Sequence, residues 1–423
     1  MLHSHKLRSF AVLASALFIL DSCKKDAVDP SLEIENARAR TKTKLTAVQQ
    51  LGKQIFFDAR LSEPMGVQSC ASCHAPQVGF SGFGDIPTGG AASASGFKRG
   101  FVAGIGEGAV IGAFGRRKPP TAAYATLVPV MDFDGTEFTG GLFWDGRATG
   151  LRLGSTAAEQ ALGPFLADKE QNHPGPASVL AKLKSNRAYL ALWRAAFGTA
   201  EIDVSNETAI LANYDNVGLA IDAYEGSSEV NQYSSKFDAF QAGRYVMTAQ
   251  EAEGMALFNN QAGCNDCHKQ LGGNRNRPFV VGELFADFAY HNIGVPQNPN
   301  NPGGNMAPDP GLAGFLATSD NLTWKAQADA NFGKFRTPTL RNVGKAQRFM
   351  HNGVFSSLEE VVHFYNTRDV PGAGWNGVPW GRPEYLPTMD TEALGNLGLT
   401  PAQEAAVVAF LRTMDDGYTG PVQ

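Results

Sequence analysis

Cys70-Ala71-Ser72-Cys73-His74 and Cys264-Asn265-Asp266-Cys267-His268 decide how the rest of this chain is read. C-x-x-C-H is the attachment signature of c-type haem. One turn of backbone sets two thiols against the two vinyl groups of a porphyrin, and the next residue, a neutral imidazole, lies under the iron as proximal ligand. A redox C-x-x-C needs no His after it. A structural zinc site would need a fourth ligand for each set of two cysteines and one histidine. Disulfides within each motif are the remaining alternative, and they leave His74 and His268 unexplained. The candidate cofactor-binding residues are therefore Cys70, Cys73, His74, Cys264, Cys267 and His268, with two covalent haem c groups as the implied cofactors.

The sequence around each motif also repeats. Before the first, Leu45, Val48, Leu51 and Ile55 mark an amphipathic helix containing Gly52-Lys53-Gln54-Ile55-Phe56-Phe57. Before the second, Thr248-Ala249-Gln250-Glu251 is a capping box, and Gly254-Met255-Ala256-Leu257-Phe258 repeats the G-x-x-x-F pattern. The two histidines lie about 190 residues apart. The chain is thus expected to be all-α, with two cytochrome c-like helical domains in tandem, 46–225 and 226–423, each with one haem. Thr400-Pro401-Ala402-Gln403 opens a last helix, with Val407, Phe410, Leu411 and Met414 as its apolar stripe. Gly79–Gly115 and Gln297–Pro310 show no clear period and read as long ordered loops, the former over the first haem.

Composition narrows the partners. Lys+Arg 36 against Asp+Glu 41 gives a formal net charge of -5 over 423 residues, with no basic run, which excludes nucleic acid as the main partner. At the N-terminus, a short basic stretch precedes an apolar run from Phe10 to Leu20 that ends at Asp21-Ser22-Cys23. Such a run is too short to span a membrane and has the form of a secretory signal. Residues 1–22 are expected to be a lipoprotein signal peptide, with Cys23 the lipidation site and 23–45 a polar tether. A plain signal peptide with an incidental Cys23 is the alternative. The expected location is the periplasm or cell envelope, with membrane contact only through the lipid anchor.

Further motifs carry a resemblance. Leu51-Gly52-Lys53 through Phe57-Asp58, Phe143-Trp144-Asp145-Gly146-Arg147-Ala148 and Glu159-Gln160-Ala161 with Pro164 stand in the first half. Thr337-Pro338-Thr339-Leu340-Arg341-Asn342-Val343, His351-Asn352-Gly353 and Leu358-Glu359-Glu360-Val361-Val362 stand in the second. From about Leu45 to Leu411 the chain resembles the bacterial dihaem cytochrome c peroxidases, and within them the subgroup that includes the dihaem enzyme maturing methylamine dehydrogenase. The resemblance implies a haem on His74 open to hydrogen peroxide and a second, on His268, that takes electrons from a small donor protein, a cytochrome c or a cupredoxin. It also implies peroxide reduction, or alternatively oxidation of a partner protein's Trp or Tyr. A dihaem electron carrier without catalysis is a third class, and a homodimer is compatible with the sequence.

Residue by residue, the resemblance makes Glu170, ten positions beyond Gln160, the distal acid–base group, with Pro164 packing over the iron. The bland alternative is a solvated carboxylate in Asp168-Lys169-Glu170. Trp144 matches a tryptophan between the haems, a relay or simply a core ring. No His lies between His74 and His173, and Met131 is the one Met in that interval, so no ready sixth ligand is expected at the first iron. At the second, the family's Met position is Tyr365, whose tyrosinate would lower the iron potential. Met350 is the rival ligand, and Tyr365 also continues a helical core stripe. His351 matches a family histidine near this haem or is structural, and His291 and His363 are expected to be structural. The resemblance also implies calcium held by an Asn, but Arg117-Lys118-Pro119-Pro120-Thr121 puts Lys118 there. An ammonium repels a cation, so calcium is doubtful and Lys118 itself supplies the charge.

Overall fold

A computed structural model describes residues 44–87, 99–198, 201–270, 284–304 and 307–420. The signal peptide, Cys23 and most of the tether lie outside the described residues. The chain is 38% helix with a few short strands. Helix α1 (Ala47–Phe57) starts at a capping box between Thr46 and Gln49 and buries Leu51, Gly52, Ile55 and Phe56. Helices α2 (Thr156–Leu166), α3 (Pro176–Ser185), α4 (Arg187–Phe197) and α5 (Glu207–Glu225) complete the first half. In the second, α6 (Ala249–Asn259) carries the Thr248–Glu251 capping box. Helix α7 (Leu358–Thr367) is followed by α8 (Pro401–Arg412), capped by Thr400 with Pro401 in its first turn.

The repeated glycine explains how both halves close. At Gly52, where α1 crosses α5, an added Cβ would stand 1.8 Å from the Ala220 carbonyl oxygen. At Gly254, where α6 crosses α8, it would stand 1.9 Å from that of Ala406. No real side chain tolerates such distances, so each glycine sets a backbone-to-backbone crossing. Four residues on, Phe56 meets Tyr224 and Phe258 meets Phe410, at ring-centroid distances of 5.5 and 5.3 Å. G-x-x-x-F is thus a packing motif: the glycine brings the helices together and the ring seals the crossing.

Each crossing anchors an apolar core. The first holds Leu51, Phe56, Trp193, Val217 and Ile221 together with Val230 and Tyr233, and also Leu284, Ala286 and Phe288 from far along the chain. The second gathers Phe237, Phe258, Val407, Phe410 and Met414. The halves are tied by Arg117, whose guanidinium lies 2.6 Å from both Asp145 and Asp309.

The expectation of an unpatterned loop over Gly79–Gly115 needs correction. Phe101–Val102 pairs antiparallel with Ile105–Gly106. The connecting Ala103 and Gly104 both have positive φ, 51° and 79°, the backbone of a tight two-residue hairpin turn. A ladder this short leaves almost no alternation in the sequence. In Gln297–Pro310, side-chain amides rather than helices hold the chain: Asn298 donates to the Asn352 carbonyl and Asn301 to that of Arg116.

Candidate functional site: two cavities and the indole between them

Cys70–Cys73 form one helical turn, and the amide of His74 donates to the Cys70 carbonyl at 2.8 Å. The second motif repeats this, with His268 N–H on the Cys264 carbonyl at 2.8 Å. The ring Nδ1 atoms lie 3.3 Å from the Phe80 carbonyl and 3.0 Å from that of Phe285. A tautomer donating there keeps the Nε2 lone pair for a metal. Burial holds both imidazoles neutral, pushing His74 down to about 4 and His268 in the same direction. The four cysteines are free thiols, which sets aside disulfides within the motifs. Among the described residues one convergent metal-type cluster exists, Cys267 with Asp287 and His291. It omits His268 and has no counterpart at the first motif, so it does not account for the repeat as a pair of zinc sites.

Each motif opens on a cavity. That at His74, about 480 Å3, is walled by Gln160, Pro164, Glu170, Lys118 and Glu225 among others. Gln160 and Pro164 face it from successive turns of α2. Glu170 is fixed through its backbone, donating to Ala167 and accepting from Ala109, while Gly108 lets that strand approach: a Cβ there would meet the Lys169 carbonyl at 2.4 Å. The side chain is turned inward, unlike exposed Asp168 and Lys169. Burial raises its pKa against the opposing charge of Arg147. No other His and no Met lines this cavity. Met131 is instead packed with Phe138, Tyr290 and Leu312, and His173 is engaged by Ser178 and the Leu61 carbonyl. Glu159, beside Gln160, accepts from the amides of Gly150, Arg152 and Leu153 and so fixes the loop entering α2.

The cavity at His268, about 200 Å3, is lined mainly by aliphatic side chains of α7, α8 and the segments between them. Tyr365 and Met350 both face it. The Tyr365 hydroxyl has no hydrogen-bond partner among the described residues, and burial with the two neighbouring thiols raises its pKa. His291 also lines this cavity, 3.0 Å from Asp287. His351 stacks on Phe335 at 3.6 Å and bonds Glu384 at 3.2 Å. His363 is held by Glu404, 2.9 Å away.

Trp144 lines both cavities. Its indole N–H donates to the Lys118 carbonyl at 2.7 Å, and its own carbonyl accepts from Arg336 N–H at 3.0 Å. The Lys118 amide in turn donates to the His351 carbonyl at 2.8 Å. The Lys118 ammonium, 6% exposed, is held by Ser81 Oγ at 2.7 Å and the Pro119 carbonyl at 3.1 Å. Burial lowers its pKa to about 8.

These residues fit a porphyrin in each cavity. Beside the paired thiols and neutral imidazoles, each cavity contains a buried cation with no carboxylate partner among the described residues: Lys118 in one, Arg336 (5% exposed) in the other. Such charges are costly to bury alone and suit the propionates of haem. Sequence reasoning missed Arg336 in this role. Its position immediately before Thr337-Pro338-Thr339 carries no local signal, whereas an Arg that meets the Phe143 and Thr337 carbonyls but no carboxylate among the described residues becomes visible only once the chain has folded.

The profile of the family described as Di-haem cytochrome c peroxidase matches residues 46–245. The Methylamine utilization protein MauG of Paracoccus denitrificans is 33% identical over 384 residues, 89% of this chain and 90% of that protein. Cytochrome-c peroxidase IdrP1 of Denitromonas iodatirespirans is 28% identical, over 86% of this chain and 80% of its own. The crystal structure of the diheme peroxidase BthA from Burkholderia thailandensis aligns with a TM-score of 0.70 at 32% identity, covering 94% of this chain and 92% of that one. The chain belongs to the di-haem cytochrome c peroxidase family.

Proposed function

We propose that the chain is a dihaem c-type peroxidase of the cell envelope, anchored through lipid on Cys23. It would reduce hydrogen peroxide to water with electrons from a small redox protein, a cytochrome c or a cupredoxin. Its domains, 46–225 and 226–423, carry haem on Cys70, Cys73 and His74 and on Cys264, Cys267 and His268. The observation that supports this most is the inequality of the two cavities joined by one indole: Glu170, Glu225 and Gln160 at His74, chiefly apolar walls with Tyr365 at His268.

When bound, haem supplies an iron that binds peroxide and exchanges electrons one at a time. The side chains do the rest. Gln160 orients the peroxide, Pro164 narrows the space above it, and Glu170 takes the proton of the near oxygen and returns it to the far one, which departs as water. Burial raises the pKa of Glu170, as suits a group that must both accept and release a proton near neutrality. Trp144 carries electrons between the cavities. Tyr365 would be the further ligand to the haem iron on His268, with Met350 the rival. Lys118 supplies the fixed positive charge between the cavities, where the family resemblance would put calcium.

Tyr365 also favours a second reading, a protein-modifying oxidase. An anionic phenolate stabilises oxidised iron, so oxidising equivalents could be kept and then filled by electrons from a partner protein's Trp or Tyr. The test is peroxide added to the two-haem protein with and without a reduced small cytochrome. Rapid donor oxidation supports the peroxidase. A long-lived oxidised spectrum without donor consumption supports the modifying enzyme. Inertness to peroxide overturns both.

A further inference from the structure

Glu170, as described, moves a proton from one peroxide oxygen to the other and adds none. Reducing one peroxide to two waters consumes two electrons and two protons. The cavity therefore needs a second source of protons, and a second carboxyl group stands in it.

Glu225, the last residue of α5, is 4% exposed and lines the same cavity as His74 and Glu170. Among the described residues no hydrogen bond or ion pair reaches its carboxyl group. A carboxylate desolvated in that way, without a partner, is costly as an anion. Burial, reinforced by Asp222, accordingly raises its pKa well above the ordinary value and holds it protonated. Two buried amide oxygens of the same cavity, Oε1 of Gln68 and of Gln171, also lack partners. A protonated donor and two unfilled acceptors around one polar space are the requirements of a water chain.

One neighbouring carboxyl group is near enough for its charge to reach Glu225. Asp222 lies three residues earlier, on the same face of α5. It is only partly buried, and its Oδ1 accepts from Ser155 Oγ at 2.9 Å. Ser155 caps α2, the helix that carries Gln160 and Pro164.

We propose that Glu225 is the proton-delivering acid of the His74 cavity, restocked through Asp222, so that the two protons per peroxide enter along α5. The electrons arrive separately, from the small reduced redox protein, by way of Trp144. Per turnover two protons leave Glu225, each replaced from solvent through Asp222. The far oxygen has already departed as water with the peroxide's own two protons, so both delivered protons, with the two electrons, turn the near oxygen into the second water. The inference rests on the peroxide-reducing reading above.

The experiment uses the two-haem protein with Glu225→Gln and Glu225→Asp. Difference infrared spectra of the wild type should contain a protonated-carboxyl C=O band that shifts in D2O, vanishes in Glu225→Gln and persists in Glu225→Asp. With reduced cytochrome as donor, peroxide turnover should fall about tenfold or more in Glu225→Gln and recover partly in Glu225→Asp. Should Glu225→Gln fail to hold haem, Asp222→Asn, outside the cavity wall, tests the same route and should slow turnover several-fold. An active wild type whose infrared band survives Glu225→Gln, or whose turnover is unchanged in both Glu225→Gln and Asp222→Asn, overturns the proposal alone. A wild type inert to peroxide overturns the peroxidase reading itself.

Discussion

The two halves of the molecule share a skeleton and differ in lining. Gly52 and Gly254 make the same crossing, Phe56 and Phe258 seal it, and His74 and His268 stand at the same point of the same motif. Around the first histidine the walls carry Gln160, Glu170 and Glu225, whereas around the second they are chiefly apolar, with Arg336, His291, His351, Glu384 and Tyr365 among the polar groups. A cavity that moves protons needs titratable side chains. One that only passes electrons gains from apolar walls that do not reorient when charge changes. On the proposed reading, the repeated frame holds the cofactor and the differences on its inner surface divide the labour.

Several substitutions would break or sharpen that contrast. Glu170→Gln should lower peroxide turnover about 10²–10⁴-fold while both haems stay incorporated. Tyr365→Phe in the other cavity should alter the spectrum and potential of that haem instead. If both variants lost turnover by the same route, the division of labour would be wrong. Because burial raises the Glu170 pKa, kcat/KM should climb with pH through a value above that of an ordinary glutamate, and Glu170→Gln should erase that limb.

Gly52→Ala and Gly254→Ala should each destabilise by about 3 kcal/mol or more, since the new methyl must push two helix backbones apart. Denaturant midpoints check this, and a large difference between the two would deny the equivalence of the crossings. Asp309→Asn should cost about 2 kcal/mol, less than a fully broken buried pair because Arg117 keeps Asp145. The sign with pH follows from opposing causes. Burial pushes the Asp309 carboxyl up, but the Arg117 hydrogen bond and charge outweigh it and hold it well below its ordinary value. Its stabilisation is thus complete above the ordinary carboxylate pKa and disappears as pH falls through the depressed one. Stability measured across acid pH should fall less steeply in Asp309→Asn than in the wild type.

Trp144→Phe should slow electron arrival at the His74 side several-fold, seen in stopped-flow reduction by donor, with haem content unchanged. Chelation should have the smallest effect, leaving stability and turnover unaltered, because the Lys118 ammonium occupies Ser81 Oγ and the Pro119 carbonyl. Stoichiometric calcium found by elemental analysis would contradict this.

Much of this was legible because its causes are local. A helix cap such as Thr248–Glu251, the glycine of G-x-x-x-F and the C-x-x-C-H turn each fix structure within a few residues. The resemblance then pointed to Gln160, Glu170 and Trp144, which the fold gathers around the first cavity. What the sequence hid was settled by distant partners. Arg336 and Glu225 are informative because no ion pair reaches either among the described residues, a property of the folded surroundings. The proximity of His291 to Cys267 was likewise hidden, because it depends on the strand pairing of Tyr290–His291 with Phe335–Arg336. The Ala103-Gly104 hairpin escaped notice because its strands are two residues long.

The placement of Leu284, Ala286 and Phe288 in the first core, downstream of the second haem motif, has an evolutionary consequence. Whatever duplication produced the paired frame, the first half now borrows from the second to finish its interior. A polypeptide severed after Glu225 would carry an unfilled hollow, and could not be shuffled into a new protein as a ready-made unit. Selection must now act on the pair as one inheritance.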